Sequence, residues 1–281
     1  MALHATGNVE AGQNIVQTIE PIAEALSGTE RLVALTGAGI STESGIPDYR
    51  SPDGVWARHT PIYYSDFVGK PAVRRRYWAR SLNGYGRFRD AQPNRGHLAM
   101  AALERAGRLH YLITQNVDRL HTKAGSKRVL ELHGENSSVH CIRCSFHEPR
   151  TQTQARLEWD NRHLILPADE TGDAEEVQVP LCPVCGGLLK PAVIFFGEPL
   201  RPEVVQHSLQ LVEEGTAFLV VGSSLTVYSG YRLVRAARQA GKPVYVVNIG
   251  PTRADAEVTM KLEAPAGDTL AALARLLGAA L

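Results

Sequence analysis

Two apolar patterns alternate along this chain. Residues 13–27 carry Ile15, Ile19, Ile22, Ala23 and Leu26 at helical spacing and end near Gly28. Leu32-Val33-Ala34-Leu35 follows as a short unbroken apolar run, the signature of a strand buried on both faces. Runs of the same kind recur at Tyr111-Leu112-Ile113, Val193-Ile194-Phe195-Phe196, Phe218-Leu219-Val220-Val221 and Val244-Tyr245-Val246-Val247. Helical stretches lie between several of them, at about 97–106, 203–214, 230–240 and 268–278. This alternation predicts an α/β fold: a Rossmann-like, doubly wound parallel sheet with helices on both faces.

Two stretches break the pattern. Residues 52–95 are rich in Arg, Tyr and Pro and read as loops with one helix around 71–82. Residues 137–190 hold all four cysteines, and Pro167 to Pro180 is acidic and loop-like. We read these as two insertions that together build a smaller zinc-binding domain. Residues 1–51, 96–136 and 191–281 then form the larger, nucleotide-binding one.

Composition narrows the field. The 281 residues include 30 Lys or Arg and 29 Asp or Glu, a net charge of +1. So even a balance gives no general attraction to nucleic acid or anionic lipid, and no direct nucleic-acid binding is expected. No apolar run approaches the roughly 20 residues that span a bilayer, so no membrane association is expected. Residues 1–30 contain no Lys or Arg, while Glu10, Glu20, Glu24 and Glu30 are acidic. That is unlike a signal or transit peptide, and a cytoplasmic location is expected.

The cysteines form two pairs, Cys141-x-x-Cys144 and Cys182-x-x-Cys185. Each pair can present two sulfurs to one ion, and four thiolates complete a tetrahedral zinc shell. Such a shell leaves no open position for water, so the metal would be structural. His140 and His147 lie nearby but are not needed as ligands.

Polar turns follow three of the strands. Gly37-Ala38-Gly39 would let a phosphate approach backbone N–H groups, aided by the dipole of the helix that follows. The third fingerprint glycine is missing, because its position is Thr42. Gly222-Ser223-Ser224 and Asn248-Ile249-Gly250 close two further strands, and three such turns meet where open α/β sheets bind ligands. A glycine turn also serves as a plain connection. Gln115-Asn116-Val117-Asp118 again follows a strand, and its amide and acid could pair with a carboxamide or simply make a turn. His133 ends a short apolar stretch beside Gly134. It is either a structural histidine or, if it faces the nucleotide, a general base.

Taken together the motifs resemble those of the sirtuins, NAD-dependent protein deacylases. The run from Gly37 to Ser51, Thr114-Gln115-Asn116-Val117-Asp118 with Leu120-His121, Leu132-His133-Gly134, the four cysteines, Lys190-Pro191 with Phe195-Phe196-Gly197-Glu198, and Gly222-Ser223-Ser224-Leu225 occur in family order over roughly residues 25–275. Pro47-Asp48-Tyr49-Arg50-Ser51, Arg76-Tyr77-Trp78-Ala79-Arg80 and Tyr228-Ser229-Gly230-Tyr231-Arg232 look most like class II, the branch with the mitochondrial sirtuin 4 type. Position 192 departs from the pattern, with Ala where family members often carry Asp or Asn.

The resemblance implies roles. Gly37, Ala38, Gly39, Asp48, Tyr49 and Arg50 would lie along the NAD-binding loop. Gly222, Ser223, Ser224 and Asn248 would hold the adenosine end. Gln115, Asn116, Val117 and Asp118 would bind ribose and nicotinamide, with Asn116 and Asp118 assisting catalysis and His133 as base. Zn2+ would sit on Cys141, Cys144, Cys182 and Cys185. In the family reaction the acyl oxygen of a modified lysine attacks ribose and nicotinamide leaves; a ribose hydroxyl then attacks the imidate carbon, and water completes the reaction to give free lysine and O-acyl-ADP-ribose. Acyl-lysine proteins are thus the implied partners. An extended substrate would add as a strand against Ile194, Phe196, Gly197, Glu198 and the 225–229 segment. Tyr77 and Arg80 lie three apart on one helical face, where a Tyr-x-x-Arg pair resembles the acid-recognising pair of the desuccinylase branch. They would then read the carboxylate of an acidic acyl chain; otherwise they pack with Arg74, Arg75 and Arg76. Mono-ADP-ribosyl transfer from the same pocket, and NAD binding without turnover, stay open as alternatives.

Overall fold

A computed structural model describes residues 3–5, 15–49, 54–55, 60–164 and 174–281. Arg50 and Ser51, and residues 165–173, which reach into the acidic stretch, lie outside them. Seven strands make one parallel sheet: β1 (Leu3–Ala5), β2 (Leu32–Thr36), β3 (Leu109–Thr114), β4 (Val129–Glu131), β8 (Ala217–Val221), β9 (Val244–Val247) and β10 (Met260–Leu262). Their order is β1-β10-β9-β8-β2-β3-β4. From β2 the chain winds outward through β3 and β4, then returns to β8 and winds the other way. The switch point is therefore the crevice between β2 and β8, where an open sheet binds its ligand.

Period-two alternation explains why these apolar runs make strands. Leu32, Ala34, Leu219, Val221, Tyr245 and Val247 join a core on one face; Val33, Leu35, Phe218, Val220, Val244 and Val246 join a second core on the other. The first core is closed by α1 (Ile15–Ser27), α4 (Arg95–Arg105) and α9 (Ala266–Leu276), the second by α7 (Pro202–Glu214) and α8 (Tyr228–Gln239). Helix α5 (Leu120–Lys123) is a single turn below the site.

The smaller unit holds α2 (Tyr64–Gly69), α3 (Pro71–Asp90), α6 (Arg150–Asp160) and an antiparallel sheet of β5 (Gly134–Cys141), β6 (His147–Pro149) and β7 (Leu189–Val193), in the order β6-β5-β7. Both insertions share its core, for Trp78 and Ala79 pack with Val139, Cys141, Leu157, Cys182 and Leu189. The strands of this sheet overrun the insertion limits at 137 and 190, since β5 starts at Gly134 and β7 runs to Val193.

Two expectations need correction. Val193-Ile194-Phe195-Phe196 is no parallel strand of the main sheet: only Val193 is in a strand, at the end of antiparallel β7. A short apolar run does not declare its partner. The glycine turn at 37–39 is not followed by an α-helix but by two 3₁₀ turns, Ala38–Ile40 and Thr42–Ser44, so no helix dipole faces a phosphate there.

Candidate active site

The turns after β2 and β8 press against each other. A Cβ on Gly37 would meet the Gly222 carbonyl oxygen at 2.7 Å, and one on Gly39 would meet Gly222 Cα at 2.9 Å. Gly222 itself needs φ of 60°. The Gly37 and Gly39 N–H groups donate to the Val221 and Gly222 carbonyls (3.0 and 2.8 Å). These glycines therefore serve turn-on-turn packing, and their N–H groups are already used. The packing shapes the rim of a cavity of about 1300 Å³.

Most of the residues singled out from sequence line this one cavity. Gly37, Ala38, Gly39, Asp48 and Tyr49 border it with Gly222, Ser223, Ser224 and Asn248. Gln115, Asn116, Val117 and His133 line it too, as do Tyr77, Arg80, Ile194, Phe196, Gly197 and Glu198. Asp118 does not line it and stands one layer behind. Its Oδ2 accepts from the Ser41 hydroxyl (2.7 Å) and its Oδ1 from the Leu120 N–H (2.9 Å). Glu198 is turned inward, pairing with buried Lys190 (3.1 Å) and accepting from the Phe195 N–H (2.8 Å). It braces the loop that carries Phe196 and Gly197.

His133 has its tautomer set by its partners. Nδ1–H donates to the Gln115 carbonyl (3.0 Å), which leaves Nε2 to accept from the Ser229 hydroxyl (2.7 Å). Burial pushes its pKa down, against the Gln115 bond and with help from the Arg232 charge. The ring is a neutral base whose unprotonated nitrogen accepts from the Ser229 hydroxyl.

Ser41 is the hub beneath Asn116, and its position in the glycine motif gave no hint of that. Asn116 Nδ2 donates to Ser41 Oγ (3.1 Å) and to the Gly37 carbonyl (3.0 Å). His97 Nδ1 accepts from the Asn94 N–H (3.3 Å), so Nε2–H points to Ser41 Oγ (3.4 Å). Burial lowers the His97 pKa to about 4, and its ring lies 4.8 Å from that of His121, also held neutral by burial. Asp118 is pushed up by burial, with the Leu120 and Ser41 bonds opposing. The network fixes the Asn116 carboxamide over two histidines held neutral by burial.

The four cysteine sulfurs lie within 4.8 Å of one another, with Cys141–Cys185 at 3.6 Å and Cys144–Cys182 at 3.7 Å. Thiolates about 2.3 Å from a tetrahedral ion stand about 3.8 Å apart, so the set fits zinc. A Cβ on Gly187 would touch Cys141 Sγ at 3.0 Å, and the cluster closes without an open position. None of the four lines the cavity.

The Sir2 family model matches residues 37–229. The chain belongs to the Sir2 family. A Bordetella bronchiseptica protein named NAD-dependent protein deacetylase is 47% identical to this Sir2 chain over 256 residues, covering 88% of it and 93% of the relative. The mitochondrial sirtuin-4 of Bos taurus, named an NAD-dependent protein lipoamidase, is 45% identical over 90% of this chain and 85% of its own. A solved Sir2 structure with a deacetylated p53 peptide and 3′-O-acetyl ADP-ribose superposes with a TM-score of 0.80 at 30% identity, covering 94% of this chain and all of that one.

Proposed function

We infer that this chain is an NAD-dependent protein lysine deacylase yielding nicotinamide, free lysine and O-acyl-ADP-ribose. The observation that carries this is the placing of the bare His133 Nε2 in the same cavity as the β2, β8 and β9 turns of a Sir2-family chain. NAD supplies the ribose carbon that accepts the acyl oxygen and the nicotinamide that leaves. Gly37, Ala38, Gly39, Asp48 and Tyr49 cover one flank of it, and Gly222, Ser223, Ser224 and Asn248 the adenosine side. Gln115, Asn116 and Val117 hold the nicotinamide end, and Asp118 acts on Asn116 through Ser41. His133 accepts a proton from a hydroxyl brought to the position that Ser229 holds. With NAD and the acyl-lysine strand filling it, the cleft shields a cationic transition state from bulk water. The acyl-lysine strand is read between the Phe196-Gly197 loop and residues 225–229. Zinc on the four cysteines braces the smaller unit.

We further propose that acidic or bulky acyl groups are removed better than acetyl. Support comes from Tyr77 and Arg80, both on α3 and both lining the cavity. Burial holds the Tyr77 phenol above its usual pKa, opposed by the Arg150 charge, so it stays a hydrogen-bond donor. Beside it a guanidinium suits a terminal carboxylate. Steady-state rates on acetyl-, succinyl-, glutaryl- and hydroxymethylglutaryl-lysine peptides test the preference. Arg80→Ala is expected to lower the acidic substrates by about tenfold or more relative to acetyl; an equal loss on all four contradicts carboxylate reading.

A further inference from the structure

Behind the α3 wall of the cavity lies a buried cation that the reaction leaves unused. Arg150, at the start of α6, is 1% exposed. Its guanidinium is packed between Trp78 (4.5 Å to the ring centroid) and Tyr85 (5.0 Å). Among the described residues it forms no ion pair, and its Nε and Nη1 have no hydrogen-bond partner. The Glu158 carboxylate, two turns along α6, is taken by Gln154 Nε2 (3.0 Å). A guanidinium removed from water without a counter-ion is costly, and a negative charge nearby would offset that cost.

A polar route joins this cation to the cavity. Arg150 Nη2 donates to the Ser81 hydroxyl oxygen, and Ser81 lines the cavity beside Tyr77, Arg80 and Tyr85. With its oxygen accepting from the guanidinium, Ser81 keeps its O–H to donate. The acceptor it has is Gln154 Oε1 at 3.4 Å, a weak bond to an oxygen already approached by Arg150 Nη2 at 3.3 Å. That hydroxyl is polarised by a full charge behind it and is better satisfied by an anion in front of it.

We propose that Arg150, acting through the Ser81 hydroxyl, is a specificity-determining residue that draws the terminal carboxylate of an acidic acyl chain to the α3 wall of the cavity. The inference rests on the acidic-acyl reading above and adds to it a charge that Tyr77 and Arg80 do not supply. A neutral acyl chain gains nothing from this pair, so the pair sorts substrates by charge rather than by size.

The test is a ratio of kcat/KM values for a glutaryl-lysine peptide and its counterpart ending in a carboxamide. Arg150→Met is expected to lower that ratio about tenfold or more, and Ser81→Ala about threefold or more. Should Arg150→Met not fold, Ser81→Ala, a small change at the cavity wall, decides alone. A ratio left unchanged by the folded variants overturns the proposal, and so does an equal loss on both peptides, which marks a structural role. A wild-type ratio near one sinks the acidic-acyl reading itself and this inference with it. A wild-type ratio well above one that both variants keep sinks only the Arg150–Ser81 device.

Discussion

His133 does its work through an unprotonated Nε2, and its neighbours decide at what pH that form persists. Burial lowers its pKa below the ordinary histidine value of 6.5, the Gln115 carbonyl opposes, and the Arg232 charge adds to the lowering. The sign follows directly. The working form is the deprotonated one, and a lowered pKa keeps it populated as pH falls through 6.5. The acid limb of the kcat/KM profile should therefore fall below that value; a limb at or above pH 6.5 contradicts a buried, neutral His133 held between Gln115 and Ser229. At this scale the sequence was informative about identity and silent about partnership. Gln115, Asn116 and His133 follow strand ends and could be picked out by position. Asp118, expected at the nucleotide, touches Ser41 and Leu120, and the chain turns just after it at Arg119, whose φ is 61°. Ser41 and His97 became visible only once β2 and α4 were brought together.

Among the elements, β5 links the chemistry to the metal. It leaves His133 at Gly134, whose φ of 73° and contact with the Ala192 carbonyl admit no side chain, and it ends at the ligand Cys141. A continuous strand thus runs from the base to the zinc cluster. Stripping the metal with a chelator should lower both the melting temperature and kcat, and one equivalent of zinc should restore both. Unchanged activity in a metal-free chain would refute the mechanical link. The strands buried on both faces were legible as unbroken apolar runs ending at polar turns, although the run at 193–196 shows that such a run does not declare its partner. Helix α6 was not, since its buried face at Arg150, Thr153, Gln154 and Leu157 keeps helical spacing but is mostly polar. Helix α3 runs to Asp90, well past the end read near 82. Gly84 and Gly86 lie inside it, and burial of Tyr85 and the basic last turn of Arg87 and Arg89 carry the helix on.

For the whole molecule, the division of labour follows from topology. The doubly wound sheet places three turns at its switch point, and the smaller unit closes over them with α3 and the loop after β7. Neither half makes the cavity alone, as α3 and the β8 turn both line it. The same pocket could in principle pass ADP-ribose to a protein, whereas deacylation passes it to an acyl oxygen. Product stoichiometry with adenine-labelled NAD and an acyl-lysine peptide separates the two most directly. Deacylation requires nicotinamide and deacylated peptide released one for one, the label in a small acylated ADP-ribose, and a loss of at least about 100-fold in His133→Ala. Label held covalently on an acceptor protein, at a rate indifferent to His133, would contradict it.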